Sequence, residues 1–225
     1  MRDLKETRAL SSSTGDYLKV IWELNASGAA STTGIAARLS VSPGSVTRML
    51  RRLQGMGLVD YERYYGASLT EEGRTEALRL VRRHRLIETF LLECLGYSWE
   101  NVHKEAERLE HAVSEEFTER LAELLGNPKQ DPHGAPIPAA DGSLSPEIPL
   151  PLSEAEAGRR VRVSRVSHED SATLAYLAEN GLIPGRLLKV EKVRALDGVV
   201  TVEDEDGTYH ALGEALAGSI LVRNL

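Results

Sequence analysis

Residues 32–57, TTGIAARLSVSPGSVTRMLRRLQGMG, decide the fold of the first part of the chain. Apolar residues recur at helical spacing on both sides of residues 40–42, which predicts two helices joined by a tight turn. Ser42 is a suitable N-cap for the second helix, and Pro43 suits its first position. The glycines of residues 55–57 are typical of a helix end.

An alternating apolar pattern after the second helix predicts a two-stranded hairpin. Its strands are expected at residues 58–63 and 67–69, around a turn at residues 64–66. Two helices with a tight turn and a following hairpin form the pattern of a winged helix-turn-helix. The second helix of such a unit enters the major groove of DNA.

Local charge agrees with this prediction, because residues 32–56 contain four arginines and no acidic residue. Arg48 is placed to contact a guanine edge, and neighbouring arginines suit phosphates. The alternative is an arginine-rich surface helix pair without a ligand. The candidate DNA-binding residues are Arg38, Ser42, Pro43, Gly44, Ser45, Thr47, Arg48, Arg51 and Arg52 in the helices, with Arg63 and Tyr64 at the hairpin tip.

The overall composition is that of an acidic protein with room for two modest domains. The 225 residues carry a net charge of −7, but residues 1–93 hold 14 basic against 11 acidic side chains. No apolar run approaches the roughly 20 residues of a membrane span. Cys94 is the only cysteine. It excludes an intrachain disulfide and is interpreted as a core residue. We therefore expect a cytoplasmic protein without a membrane partner.

Residues 105–114, EAERLEHAVS, place three metal-ligand residue types on one face of a predicted helix. Glu107, Glu110 and His111 stand at i, i+3 and i+4, which are neighbouring positions on a helix surface. The apolar residues at positions 102, 106, 109 and 113 form a separate stripe. Ser98 is the predicted N-cap of this helix. A solvated face would more usually mix glutamates with lysines, so the pattern favours a ligand site.

A long helix predicted before this one carries ligand types in RRHRLIETF. His84 and Glu88 stand at i and i+4, and His103 precedes Glu107 by one helical turn. A single His–Glu pair would more often be a buried hydrogen-bonded pair, whereas two such helices together favour metal binding. Oxygen and imidazole ligands without thiolate suit manganese(II), iron(II) or zinc.

The remaining sequence predicts an irregular segment and a small β domain. Residues 127–152 hold most of the nine prolines and predict a linker or extended arm, whose first part, DPHGAPIP, is expected to pack against the helices. Strands are predicted at residues 160–166, 187–192, 199–203 and 219–223, with a helix at 171–180. This pattern indicates a small barrel. His133, His168 and His210 have no clustered partners in sequence, so surface or local hydrogen-bonding roles are expected for them.

Residues 14–138 resemble the diphtheria toxin repressor family of iron- or manganese-dependent transcriptional regulators. The matching stretches are DYLKVIWEL, IAARLSVSPGSVTRMLRRLQGMGLV, LTEEGR, RRHRLIETFL, VHKEAERLEHAVSEE and PHGAPIP. Residues 153–225 resemble that family's C-terminal SH3-like domain, which also occurs in ferrous iron transport proteins. The resemblance implies a cytoplasmic homodimer that binds metal and then operator DNA, usually to silence metal-uptake genes.

The resemblance also implies two sets of metal ligands. The primary set falls on Asp16, Glu107, Glu110 and His111. Iron-type members have methionine and cysteine at the first two of these positions, so the carboxylates here favour manganese(II), with iron(II) second. The ancillary set falls on His84, Glu88 and His103, with Glu169 or Asp170 added from the C-terminal domain. Lys19 stands where members with a paired manganese site have glutamate, so two separate sites are expected.

Together these observations predict an α+β protein that regulates transcription, most simply as a repressor, and is not an enzyme. The winged helix-turn-helix is expected at residues 1–73, and a helical metal-binding and dimerisation domain at 74–138. A Pro-rich linker at 139–152 leads to a small SH3-like β-barrel at 153–225. A winged-helix regulator of an organic ligand is the main alternative. A metal-dependent hydrolase is a weaker one, because no HExxH-type signature is present.

Overall fold

The computed structural model of the protein describes residues 11–144, 149–167, 170–193 and 198–225. The chain divides into two compact units. The first extends to Arg82 and includes residues 140–142, and the second comprises residues 83–139 and 143–225. The boundary falls inside one long helix, α4 (Glu71–Glu93). Each unit has its own hydrophobic core.

The first unit is a winged helix-turn-helix, as the sequence predicts. It comprises α1 (Ser12–Leu24), α2 (Thr32–Arg38), α3 (Pro43–Gly55) and the antiparallel strands β1 (Val59–Glu62) and β2 (Gly66–Leu69). Ser42 caps α3, since its hydroxyl accepts a hydrogen bond from the Ser45 amide at 3.2 Å. Completely buried apolar residues from all three helices form the core: Leu18, Ile21, Ile35, Leu50 and Leu53.

The start of α4 packs tightly against the segment that precedes the hairpin. The Thr70 hydroxyl donates to the Gly57 carbonyl at 2.7 Å and accepts from the Gly73 amide at 3.1 Å. A Cβ on Gly73 would lie 1.8 Å from the Leu58 carbonyl oxygen, so this position requires glycine. Thr70 thus caps α4, which starts at a fixed point on the winged helix.

The helical part of the second unit contains the end of α4, then α5 (Val102–Leu109) and α6 (Glu115–Leu124). Two predictions are wrong here. Ser98 does not cap α5, because the helix begins later, at Val102, and the Ser98 hydroxyl instead accepts from the side chain of Asn101 at 2.8 Å. Cys94 is exposed rather than part of the core, since α4 ends one residue before it.

The C-terminal part of the second unit is a six-stranded antiparallel sheet in the order β3-β8-β4-β5-β6-β7. The strands are β3 (Leu150–Pro151), β4 (Arg160–Val166), β5 (Leu187–Val193), β6 (Val200–Asp204), β7 (Tyr209–Leu212) and β8 (Ile220–Asn224), with helices α7 (Ser171–Glu179) and α8 (Glu214–Ser219). The four predicted strands and α7 are confirmed. The two edge strands and α8 were missed, because segments of two to six residues carry too little periodicity.

The arm after α6 folds back on the helices, as predicted for DPHGAPIP. Arg85 of α4 donates to the Pro136 carbonyl, and the Trp99 indole donates to the Pro132 carbonyl at 2.8 Å. Within the described residues, no helix is long and apolar enough to cross a membrane.

Candidate metal centre and DNA-binding surface

Three ligand-type side chains of the second unit converge where α4 meets α5. His84 and Glu88 share one face of α4 because they are four residues apart, and His103 comes from the first turn of α5. His84 Nε2 lies 2.9 Å from Glu88 Oε1 and 3.0 Å from His103 Nδ1. His103 Nδ1 lies 2.9 Å from the same carboxylate oxygen. The structure therefore brings the three predicted ancillary ligands together.

The electrostatics of this set keep Glu88 ionised. Burial would by itself raise the pKa of Glu88, which is only 2% exposed. The charge of His84 and hydrogen bonds from His103 and His84 outweigh burial and hold the pKa well below its ordinary value. One carboxylate and two imidazoles within 4.8 Å form a donor set that manganese(II), iron(II) or zinc can accept, so these residues fit a divalent metal.

Glu110 and His111 lie just beyond α5, which ends at Leu109. The expectation that they continue one helical face with Glu107 is therefore wrong. The side chain of Glu107 is 56% exposed, whereas that of Glu110 is 1% exposed. Glu110 Oε2 lies 2.5 Å from His84 Nδ1, and Glu110 Oε1 lies 3.4 Å from His111 Nε2.

Arg83 fixes the turn that carries Glu110. Its guanidinium donates to the Glu110 carbonyl at 3.1 Å and pairs with the carboxylate of Glu115 at the start of α6. This contact ties the residue after α5 to both neighbouring helices. The backbone of Glu110 is therefore held independently of its carboxylate.

Of the other predicted ligands, Glu107 contacts the set, because its Oε1 lies 3.6 Å from His103 Nε2. Asp16 is a half-buried residue of α1 in the first unit. Asp170 caps α7, where its Oδ2 accepts from the amide and hydroxyl of Thr173 at 2.9 Å each. Glu169 lies outside the described residues. Among the residues that are described, the groups of three or more close donor atoms include neither Asp170 nor Glu107.

Sequence reasoning missed two residues that the arm brings beside Glu88. Asp131 and His133 are both 8% exposed, and each offers a donor atom within 4.8 Å of the other and of Glu88. The expectation of a surface or local hydrogen-bonding role for His133 is therefore wrong. The contact joins residues more than 40 positions apart, so spacing could not show it. The only signal was that DPHGAPIP contains both ligand types.

The candidate DNA-binding surface on α3 carries exposed cations. Arg48, Arg51 and Arg52 are exposed and, within the described part of the chain, form no ion pair. Arg38 differs, because it pairs with Glu23 at 2.7 Å, and an exposed pair of this kind is weak enough to be replaced by a phosphate. The three arginines of α3 are therefore the better placed for phosphates or bases.

Polar side chains at the start of α3 are held by local hydrogen bonds. The hydroxyls of Ser42 and Ser45 lie 3.0 Å apart, and the Thr47 hydroxyl donates to the Pro43 carbonyl at 3.1 Å. Gly44 between them is exposed, so this end of α3 presents a small surface. At the wing tip Tyr64 is 88% exposed, and the guanidinium of Arg63 lies 4.8 Å from the centre of its ring.

Comparisons with known proteins assign the family. Residues 9–67 match the N-terminal DNA binding domain of iron dependent repressors, residues 70–139 match their metal binding and dimerisation domain, and residues 150–224 match the FeoA domain. The iron-dependent repressor IdeR of Mycobacterium leprae is 30% identical over 215 residues, which cover 90% of this chain and 91% of that protein. The chain belongs to the iron-dependent repressor family.

Other members of the iron-dependent repressor family share the fold of this chain. A manganese-dependent transcriptional repressor, solved in complex with manganese, is 40% identical with a TM-score of 0.88 and covers 94% of this chain and 100% of its own. IdeR of T. acidophilum is 31% identical with a TM-score of 0.78, and both chains are covered completely. These relatives confirm the α+β architecture with an SH3-like C-terminal domain. They also confirm a metal-dependent transcriptional regulator rather than an enzyme, and both manganese and iron fit.

Proposed function

We propose that this family member binds operator DNA as a homodimer, in the cytoplasm, when its ligand sets hold manganese(II) or iron(II), and that it silences metal-uptake genes. The observation that carries the proposal is the convergence of buried His84 and Glu88 with half-buried His103, in a chain whose α3 presents exposed arginines. The proposal retains the domain boundaries expected from the sequence, at residues 73, 138 and 152.

In this proposal each of two ligand sets binds one metal ion. His84, Glu88 and His103 hold one ion, and Asp16 with Glu107, Glu110 and His111 holds the other. A bound divalent cation supplies positive charge that offsets the mutual repulsion of the carboxylates. Asp16 belongs to the helix that precedes the DNA-reading helices. Holding its carboxylate restricts α1 and shifts the population toward the conformation that fits DNA.

Exposed apolar residues support the homodimer. The second unit exposes large hydrophobic side chains on or beside α4, α5 and α6, namely Leu95, Tyr97, Leu109, Phe117 and Leu124. Large contiguous exposed apolar patches mark protein–protein interfaces, and we infer that these side chains form one. Pairing two copies would present two α3 helices to two half-sites of an operator, as dimeric helix-turn-helix proteins do.

A DNA retardation titration at buffered free concentrations of manganese(II), iron(II), zinc(II) and cobalt(II) tests this function. We expect retardation to require metal and to be reversed by a chelator. His111→Ala should abolish the metal response, whereas Glu116→Ala, which removes an exposed carboxylate of α6, should retain it. Retardation that is insensitive to metal and chelator would contradict the proposal and favour a regulator of an organic ligand.

A further inference from the structure

We propose that the outer face of β4 and β8 in the C-terminal sheet binds phosphates of duplex DNA, as a second DNA-contacting surface in addition to α3. Arg160 and Arg162 of β4 and Arg223 of β8 present three exposed guanidinium groups there. The proposal rests on the proposed function, because it adds a contact to the same DNA complex. The chemistry it assigns to this face is recognition of the backbone rather than of base edges.

The alternation of side chains along the two strands places these arginines on one face. Val161 of β4 and Val222 of β8 are completely buried in the core of the domain. Successive side chains of a strand point to opposite faces, so Arg160 and Arg162 lie opposite to that core. Arg223 is the register partner of Arg162 on the neighbouring strand and shares its face. The three cations therefore form one patch.

Carboxylates of the protein do not neutralise the two arginines of β4. Three other basic residues of the domain have acidic partners: Arg159 pairs with Glu156, Arg186 with Asp204, and Lys189 with Glu191. Arg160 and Arg162 form no ion pair with any residue that the structure describes. The Arg162 guanidinium donates only to the Gly185 carbonyl, at 3.3 Å. Their charge is therefore available to an external anion.

Like charges stand directly opposite each other across these strands. Arg162 is paired in register with Arg223, and Arg160 is paired with Lys189 of β5. Such pairs destabilise a sheet. The arrangement occurs in an acidic part of the chain, since residues 94–225 hold 13 basic against 23 acidic side chains. A polyanion lying across β4 and β8 would offset the repulsion that the sheet otherwise carries.

The residue types of this face favour duplex phosphates over other polyanions. A guanidinium presents a planar fork of donors that matches phosphate oxygens. Arg160 and Arg162 stand two residues apart, about 6.6–6.8 Å along the strand, and a duplex offers closely and regularly spaced phosphates. β4 and β8 contain no aromatic residue on which an unpaired base could stack, which argues against a single strand.

The test measures the affinity of the full-length, manganese-loaded protein for a duplex that extends beyond the operator, at a series of salt concentrations. Arg160→Gln with Arg162→Gln removes two cations and keeps long polar side chains. Each lost phosphate contact lowers the slope of log affinity against log salt by about 0.9, so the double variant should lower it by about 1.8. The matched control, Arg108→Gln with Arg120→Gln, removes two exposed cations from α5 and α6 and should retain the slope.

Stability is the second measurement, because it separates a lost contact from a folding defect. The double variant relieves like-charge pairs of the sheet, so it should unfold at a urea concentration no lower than the unaltered protein does. Weaker DNA binding by an equally stable protein supports the contact. If the double variant does not fold, Arg160→Gln alone decides. Its slope should fall by about 0.9, and an unchanged slope would overturn the proposal.

The remaining outcomes separate this surface from the proposed function. An unchanged slope in the double variant, with metal-dependent retardation intact, would overturn the second surface and leave the function standing. An equal fall in the control would also overturn it, because net charge would then explain the effect. A changed oligomeric state with an unchanged slope would assign the face to a second copy of the chain instead. The proposed function fails separately, if the unaltered protein does not bind DNA in response to metal.

Discussion

His84 Nδ1 lies 2.5 Å from Glu110 Oε2, while Nε2 of the same ring lies 2.9 Å from Glu88 Oε1. An ionised carboxylate only accepts hydrogen bonds, so Nδ1 carries a hydrogen toward Glu110. By the same reasoning Nε2 carries a hydrogen toward Glu88 in the metal-free chain, and a cation held between Nε2 and Glu88 would replace that hydrogen. One imidazole therefore links the ancillary set to a residue of the proposed primary set. Metal bound at Nε2 would strengthen the hydrogen bond that Nδ1–H donates to Glu110.

Removing this imidazole should destabilise the metal-free protein. His84→Ala removes the 2.5 Å contact to the Glu110 carboxylate, which is 1% exposed, and breaking a buried pair costs about 3 kcal/mol. His103→Ala should cost clearly less, because the side chain of His103 is 26% exposed. Urea unfolding of both variants in a chelator measures the difference. If His84→Ala and His103→Ala lowered the free energy of unfolding equally, the His84–Glu110 contact would add nothing to stability beyond the burial of the side chain.

Arg48 should contribute more to sequence specificity than Arg51 and Arg52. Arg48 lies in the first half of α3, which is the end of a recognition helix that meets base edges. Arg48→Ala should weaken specific binding by about 1–3 kcal/mol and non-specific binding less. Arg51→Ala and Arg52→Ala should weaken both and lower the salt dependence of binding. Titrations with operator and random DNA at several salt concentrations separate these effects. If all three substitutions weakened specific and non-specific binding equally, Arg48 would not read a base.

Metal preference should depend on the residues at positions 16 and 107. Asp16 and Glu107 offer hard oxygen atoms, which leave manganese(II) competitive although its intrinsic affinity is the lowest among the first-row divalent transition metals. We expect manganese(II) to activate operator binding at least as well as iron(II). Asp16→Met with Glu107→Cys should shift activation toward iron(II) or cobalt(II). Anaerobic DNA titrations of both proteins with each metal give the ranking. If the double substitution leaves the ranking unchanged, ligand hardness at these positions does not set the preference.

Local sequence signals predicted the winged helix-turn-helix. Ser42 and Pro43 at the start of α3 act within one helical turn, and the apolar spacing of α2 and α3 defines their buried faces. The same reasoning placed His84 and Glu88 on one face of α4, because a helix of this length fixes residues four apart. These features needed no knowledge of distant contacts. The sequence by itself therefore determined the helices of the winged helix-turn-helix, their order, and the placement of two of the three ancillary residues, His84 and Glu88.

The tertiary structure alone decided which acidic residues are buried. Helical spacing treats Glu107 and Glu110 alike, but α5 ends at Leu109 and Glu110 turns into the protein beside His84. Spacing says nothing of Asp131 and His133, which reach Glu88 only when the arm folds back onto α4 and β4. Helix formation depends on neighbours within a few residues, whereas these contacts depend on packing between distant segments. The composition of the buried ligand group is consequently a property of the packed fold.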